Sequence, residues 1–273
     1  MISSPDLCRI VYGVDFSGAR DAGRKIWIAH GIIEEDVLLI RGCFRAKDLG
    51  NSTRDRDQSL KALREYISNQ KGGVFGLDFP FGIPRCLVKE KSWEQFVFSF
   101  EDTYFAPEEF RAVCRLRTNG KELKRFTDSE ARTPFSPYNL RLHRQTYFGI
   151  RDLLGPLIKD NRVCVLPMQK PLPDRPWVLE VCPASTLRRQ HLSLPYKGRG
   201  EIRKTARVKI LEGIEKTGVM KITEPSLPSK IFENKGGDAL DSVIAAFAAF
   251  RALRNGFIFD GNCPYTVEGW VYV

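Results

Sequence analysis

The first apolar run of the chain, RIVYGVD at residues 9–15, reads as a buried strand that stops on Asp15 before a Ser-Gly-Ala turn. Two further apolar-rich runs lie in RKIWIAHGIIEEDVLLIRGCF on either side of Glu34, Glu35 and Asp36, the pattern of a hairpin, so three successive antiparallel strands are expected. STRDRDQSLKALREYISNQKGG then places Leu60, Leu63, Tyr66 and Ile67 at helical spacing, with Ser52 or Thr53 as its cap and Gly-Gly as its stop. GVFGLDFPFGIP returns to a strand, ends on Asp78 and is closed by Pro80, Gly82 and Pro84.

From about residue 90 to 160 the pattern is helical and irregular, which reads as a helical insertion in an α/β core. RVCVLP and PWVLEVCP are strands again, the second carrying Glu180. A basic helix is expected near 199–216, and GGDALDSVIAAFAAFRALRNG sets Leu240, Val243, Ile244, Phe247 and Phe250 on one helix face and stops at Gly256. One domain over residues 1–273 accommodates this order.

Composition changes little: 42% hydrophobic and 28% charged residues over 273 positions are ordinary for a folded soluble chain. SVIAAFAAF, the longest helical apolar run, falls far short of the roughly 20 residues of a membrane span, and the first residues lack a basic-then-apolar leader pattern, so a cytoplasmic protein without a membrane partner is expected. Cys8, Cys43, Cys86, Cys114, Cys164, Cys182 and Cys263 are odd in number and never paired as C-x-x-C, which points to buried free thiols. His30, His143 and His191 have no metal-ligand spacing, and neither a Walker A loop nor G-x-G-x-x-G is present.

Charge is more informative in its placement. Residues 111–151 and 188–209 each carry a net +7, so the rest of this +10 chain is net −4. An acidic body with two basic segments suits a polyanion, with Arg141, Arg144, Arg188, Arg189, Arg203, Lys204 and Arg207 as candidate phosphate contacts and Tyr138, Tyr147 and Phe148 as stacking surfaces. Solvated helix faces and core aromatics are the plainer readings of the same residues.

The acids supply the chemistry. Asp15, Asp78 and Glu180 each sit near the carboxyl end of a strand, where functional groups of α/β sheets collect, and Asp238 and Asp241 stand three apart at the start of the last long helix. Carboxylates brought within about 4–6 Å repel unless a cation neutralises them, and hard oxygen donors suit Mg²⁺ or Mn²⁺. Two such ions would serve phosphodiester hydrolysis, with Asp15, Asp78, Asp238 and Asp241 as ligands and Glu180 as an auxiliary ligand or water-positioning group. Capping of the helix by Asp238 and Asp241, and turn formation by Asp15, are the structural alternatives.

GVDFSGA, VFGLDFPFGIP, LEVCPAST, GGDALDSVIAAFAAF and EGWVYV together resemble a family of predicted nucleases of unknown function with a ribonuclease H-like fold. The resemblance implies a mixed sheet flanked by helices, and two acids one turn apart on the last helix are similar to the arrangement in Holliday-junction resolvases. Ribonuclease H itself uses a glutamate on the first helix, where this chain has only Glu65. A metal-dependent nuclease is therefore expected, with a phosphotransferase or ATPase of the same superfold, or a non-catalytic nucleic-acid-binding protein, as the rivals.

Overall fold

In the computed structural model, which describes residues 10–257 and 265–273, the chain opens with strands β1 (Ile10–Asp15), β2 (Trp27–Glu34) and β3 (Val37–Arg45), with the single-turn helix α1 (Ala22–Lys25) between the first two. The expected hairpin is present: Glu34 pairs with Val37 across Glu35 and Asp36, whose φ angles of 48° and 64° suit a two-residue primed turn. Helix α2 (Arg56–Asn69) follows. Its cap is Asp55, which accepts from the backbone N–H of Asp57 at 2.9 Å and of Gln58 at 3.2 Å, so Ser52 and Thr53 are not the cap. Strand β4 (Gly73–Asp78) comes next.

Helices α3 (Trp93–Thr103), α4 (Pro107–Arg117), α5 (Phe126–Glu130), α6 (His143–Phe148) and α7 (Gly155–Lys159) fill the span before β5 (Cys164–Leu166). Strand β6 (Trp177–Val181), helices α8 (Pro183–Arg189) and α9 (Glu201–Glu215), strand β7 (Met220–Ile222) and helix α10 (Leu227–Glu233) lead to the long helix α11 (Asp238–Arg254). Helix α12 (Tyr265–Glu268) and strand β8 (Val271–Tyr272) end the chain. Among the described residues no helix is long and apolar enough to cross a membrane.

The sheet runs β5-β6-β4-β1-β2-β3-β7, with β8 beside the far end of β6. Pairing is antiparallel for β1–β2 and β2–β3 and parallel elsewhere, so β2 alone runs against the rest. This is the ribonuclease H-like mixed sheet with three antiparallel strands first. The short strands β7 and β8 carry too little pattern to be read from sequence.

Each sheet face has its own core, and strand alternation divides the residues between them. Tyr12, Val14, Phe75, Leu77 and Val178 join α2 and the helices after β4, whereas Val11, Val74, Leu179 and Val181 join α9 and α11. Gly13 and Gly76 are register partners. A Cβ on Gly13 would lie 2.1 Å from both the Ala246 nitrogen and the Ser242 oxygen, and one on Gly76 would lie 2.6 Å from the Ala245 oxygen. The two glycines thus let the α11 backbone rest directly on β1 and β4. Of the cysteines, Cys43, Cys114 and Cys164 are buried as expected, Cys182 is half-buried and Cys86 is exposed; Cys8 and Cys263 lie outside the described residues.

Because the obstructing atoms belong to a helix backbone, Gly13→Ala is expected to cost at least about 3 kcal/mol, the upper end of overpacking penalties. Gly50→Ala, at an exposed position with open space around it, should stay within about 0.5 kcal/mol of the parent. Urea unfolding midpoints of the two variants check this.

Candidate active site: an acid cluster at the end of β1 and β4

Alternation puts Asp15 on the same side of β1 as Gly13, and Asp78 on the same side of β4 as Gly76, which is the side that α11 covers. The parallel register then sets Asp15 directly beside Asp78. Helix α11 starts over this point and brings Asp241, 1% exposed, and the half-buried Asp238 to the same place. Neither helical acid caps the helix. Gly237, at φ 83°, occupies the cap position, and the Asn234 side chain accepts the Ala239 N–H at 3.2 Å. The four aspartates named from sequence are therefore brought together with their carboxylates free of local capping work.

Their charges act on one another. Burial first, and then the Asp241 and Asp78 charges, hold the Asp15 carboxyl well above the usual range. Burial and Asp241 push Asp78 up to about 8, against the pull of Lys197. Asp238 is raised by burial, with Lys197 opposing. Among the described residues neither Asp15 nor Asp78 receives a hydrogen bond on its side chain.

Tyr196 and Lys197, which the sequence did not single out, complete the cluster. The Tyr196 hydroxyl donates to Asp241 Oδ1, and the Lys197 ammonium, on an exposed stem, reaches 2.6 Å from Asp241 Oδ2. Burial opposes the Lys197 charge but is outweighed by Asp241 and Asp15, which raise its pKa. Beneath the strand of chain that carries both, Arg207 donates to the carbonyls of Tyr196 at 2.6 Å, Gly198 at 3.3 Å and Phe232 at 2.8 Å. With Arg207 only 2% exposed, its expected role as a phosphate contact is corrected to that of an internal support for this loop.

Glu180 stands apart for a reason of parity. Its register partner Leu77 belongs to the opposite face, so the Glu180 carboxylate leaves the sheet on the side away from α11. There it is bound by Arg125, whose Nη1 donates to Oε2 at 2.8 Å and whose Nη2 donates to Oε1, while the Phe81 N–H donates to Oε2 at 2.9 Å. The same guanidinium serves Asp128 through Nε at 2.9 Å and Nη2 at 2.8 Å, and the Glu268 carbonyl through Nη1 at 3.0 Å. The structure thus gives Glu180 a buried arginine as its partner, while Glu180 still lines one cavity with Asp15, Asp78 and Asp241 and its charge adds to the upward push on Asp78.

A cavity of about 340 Å³ opens beside the aspartates and is shared by Asp15, Asp78, Asp241, Lys197, Arg141 and Gln145. A second, of about 440 Å³, lies on the other side of Asp15 and Asp238 and is lined by Lys25, Arg141, Arg144 and Lys197. Of the basic candidates, Arg144 donates to Glu108, Arg188 and Arg189 are spent on the carbonyls of Arg132 and Val273, Arg203 on that of Pro195, and Lys204 pairs with Glu233; Lys25, beside the second cavity, pairs with Asp21 at 3.2 Å. Tyr138, Tyr147 and Phe148 are buried core residues, the plainer of their two readings from sequence, and take no part as stacking surfaces.

Four carboxylates of this kind fit a hard divalent cation. As the side chains stand, no three His, Cys, Asp or Glu residues among the described ones form a ready metal cage, and the Lys197 ammonium is the cation among them. No family model matches the chain, and no curated protein matches it. Among solved structures, that of the yeast mitochondrial Holliday junction resolvase is similar at 14% identity, over 92% of this chain and 85% of that one, with a TM-score of 0.38. A likeness of that size transfers no activity.

Two outcomes follow from the charge arrangement. A carboxyl with a raised folded-state pKa gives stability that is present below its unfolded value and lost as pH rises through the folded one, so Asp78 should destabilise the chelated protein progressively from about pH 4 to about 8. In EDTA, Asp78→Asn should melt at least about 2 °C above the parent at pH 8.5, corresponding to about 1 kcal/mol, with the gap closing towards pH 5. Second, Arg125→Met should cost about 3–5 kcal/mol by leaving Glu180 and Asp128 buried without their cation. Arg125→Lys should fail to restore it, because an ammonium cannot reproduce the fork, as urea unfolding of both variants would show.

Proposed function

We propose that the protein is a metal-dependent nuclease that hydrolyses phosphodiester bonds of nucleic acid at the aspartate cluster. The observation that carries the reading is the pair Asp15 and Asp78, buried and half-buried side by side at adjacent strand ends without hydrogen-bond donors, with Asp241 and Asp238 beside them. Such a concentration of charge is costly in a protein built only for stability and is the arrangement expected where a cation is to be held.

On this reading Asp15, Asp78, Asp238 and Asp241 hold Mg²⁺ or Mn²⁺, two ions where all four acids take part. When bound, the metal supplies Lewis-acid polarisation of the phosphate and a water of lowered pKa. The chain's own residues orient and balance charge. Asp241 is fixed by Tyr196 and Lys197, so its carboxylate has one defined rotamer. The Lys197 ammonium lies where negative charge would build on a phosphate entering between the two cavities. Gln145 donates to the Phe16 carbonyl and so ties α6 to the turn after Asp15. Arg141 offers positive charge to the flanking phosphates, with Arg144 and Lys25 beside it each sharing its charge with an acid, Glu108 and Asp21. Glu180, bound to Arg125, supports the wall of the site.

Cleavage of nucleic acid should require Mg²⁺ or Mn²⁺ and stop in EDTA. Asp15→Asn and Asp78→Asn should each lower the rate on the order of 10²–10³-fold or more while the protein remains folded. Affinity should fall with salt, and Arg141→Gln, at a site-lining arginine, should flatten the slope by about 0.9 for duplex DNA or about 0.7 for a single strand, whereas Lys204→Gln, at a residue paired with Glu233, should leave it unchanged. A panel of single-stranded, duplex and branched DNA and RNA, with ATP hydrolysis as a parallel arm, checks the reading. Metal-independent cleavage or ATP turnover without nucleic acid would refute it.

A further inference from the structure

We infer that the 340 Å³ cavity beside the aspartates receives one unstacked base, so that the substrate is a single-stranded or locally unpaired strand of nucleic acid instead of an intact duplex. The inference rests on the nuclease reading and names its substrate class.

The two cavities are unlike in chemistry and meet at a line of shared residues, Asp15, Arg141, Gln145 and Lys197. On one side the walls are charged: Lys25, Arg144, Arg141 and Lys197 line them with Asp15 and Asp238, and of the four cations Lys25, Arg144 and Lys197 are each paired with an acid, Asp21, Glu108 and Asp241. On the other side the walls beyond the aspartates are mostly apolar, made by Phe79, Pro80, Pro134, Phe135, Leu142 and Pro183. A nucleotide has the same division, a charged phosphodiester and a flat, largely apolar base. Set against this site, its phosphate lies at the shared line by the acids, its neighbouring phosphate in the basic cavity and its base in the apolar one.

The polar groups at the back of the apolar cavity favour stacking over hydrogen-bond readout. Arg125, Asp128 and Glu180 are bonded to one another, and the Thr133 hydroxyl donates to Asp128 at 3.1 Å, so their donors and acceptors are already used. Phe135 is half-buried at the wall, with the Arg141 guanidinium carbon over its ring at 5.2 Å from the centroid, a delocalised cation stacked on an aromatic face. Such surfaces bind any base through its π-face. A base inside a duplex cannot reach them without leaving its stack, which is easy for a single strand, an end or a mismatch and hard for a continuous helix.

The test uses the full chain carrying Asp78→Asn, which leaves strands uncut, with Mg²⁺ and oligonucleotides bearing 2-aminopurine at one position, as DNA and as RNA, single-stranded and duplex. Single strands should bind at least about tenfold tighter than the duplex of the same length, with the emission of the fluorescent base quenched on binding. Phe135→Ala should weaken single-strand binding about tenfold and remove the quench, while its melting temperature confirms that the half-buried site still folds. An oligonucleotide with one abasic position should show a comparable loss against its intact counterpart. The DNA and RNA arms decide which sugar the strand carries. Equal binding of duplex and single strand, or indifference to the abasic position and to Phe135→Ala, overturns the inference while leaving metal-dependent cleavage standing. The predicted binding pattern with no cleavage by the parent protein under any metal overturns the nuclease reading instead, and no binding to any strand overturns both.

Discussion

The contact between the α11 backbone and strands β1 and β4 governs everything at the acid end of the sheet. Ordinary helix-on-sheet packing places side chains between the two layers at a spacing near 10 Å. Here Gly13 and Gly76, neighbours in register, leave no side chain on the sheet side, and the helix carbonyl and amide atoms come within van der Waals reach of the strands. The first turn of α11 is then lowered onto the strand ends two residues further on, where Asp15 and Asp78 stand. With a larger residue at either glycine, Asp241 would be lifted away from them and the mutual perturbation of the three acids would fall.

That proximity has an electrostatic cost, which Lys197 offsets, while Arg125 balances Glu180 and Asp128 in a different way. Arg125 is fully enclosed and saturated by Asp128, Glu180 and a carbonyl, so it acts as fixed structure on the face away from α11. Lys197 approaches from solvent on a flexible stem and meets Asp241 at the α11 face. The first arrangement resists change because every donor has a buried acceptor, and removing one member leaves the others uncompensated. The second is open to exchange, since an ammonium on an exposed stem gives up little by turning to water. Strand parity thus decides which cation each acid meets, a buried arginine on one face and a solvent-side lysine on the other.

Much of this was legible in the sequence. Three of the strands end on acids after apolar runs, and a carboxylate in LDFPFG has few structural uses, so Asp15 and Asp78 stood out; the spacing of Asp238 and Asp241 added the helix. Parity across neighbouring strands is not legible, because it depends on register, so the sequence does not show that Glu180 meets Arg125 on the face away from α11. Tyr196 and Lys197 were hidden inside a stretch whose basic residues invited a reading as a polyanion surface. Arg207 belonged to that same stretch, yet its i-to-i+4 neighbours Arg203 and Leu211 span the boundary of the buried face of α9, and burial at such a boundary position is settled only by what packs on it. Asp55 displaced Ser52 and Thr53 as a cap because the chain before α2 turns to bond Ser59 to the Thr53 carbonyl, a local choice with several equivalent candidates in sequence.

The segment between β4 and β5 has a larger part in the site than its irregular sequence suggests. From it come Arg125 and Asp128, which fix Glu180; Gln145, which holds the turn after β1; and Arg141 and Phe135, which wall the cavity beside the acids. Gly18 in that turn has the Arg144 carbonyl where a Cβ would come to 2.4 Å, so α6 is seated as closely on the β1 turn as α11 is on the strands before it. The acids are thus gripped from two sides by backbone contacts that only glycine permits. What the sheet supplies is a set of carboxylates at a defined spacing, a feature many chemistries could use. The walls beside them are supplied by the segment from α5 to α6, and α6 is anchored through Tyr147, which packs on Phe100 of α3 and Phe110 of α4.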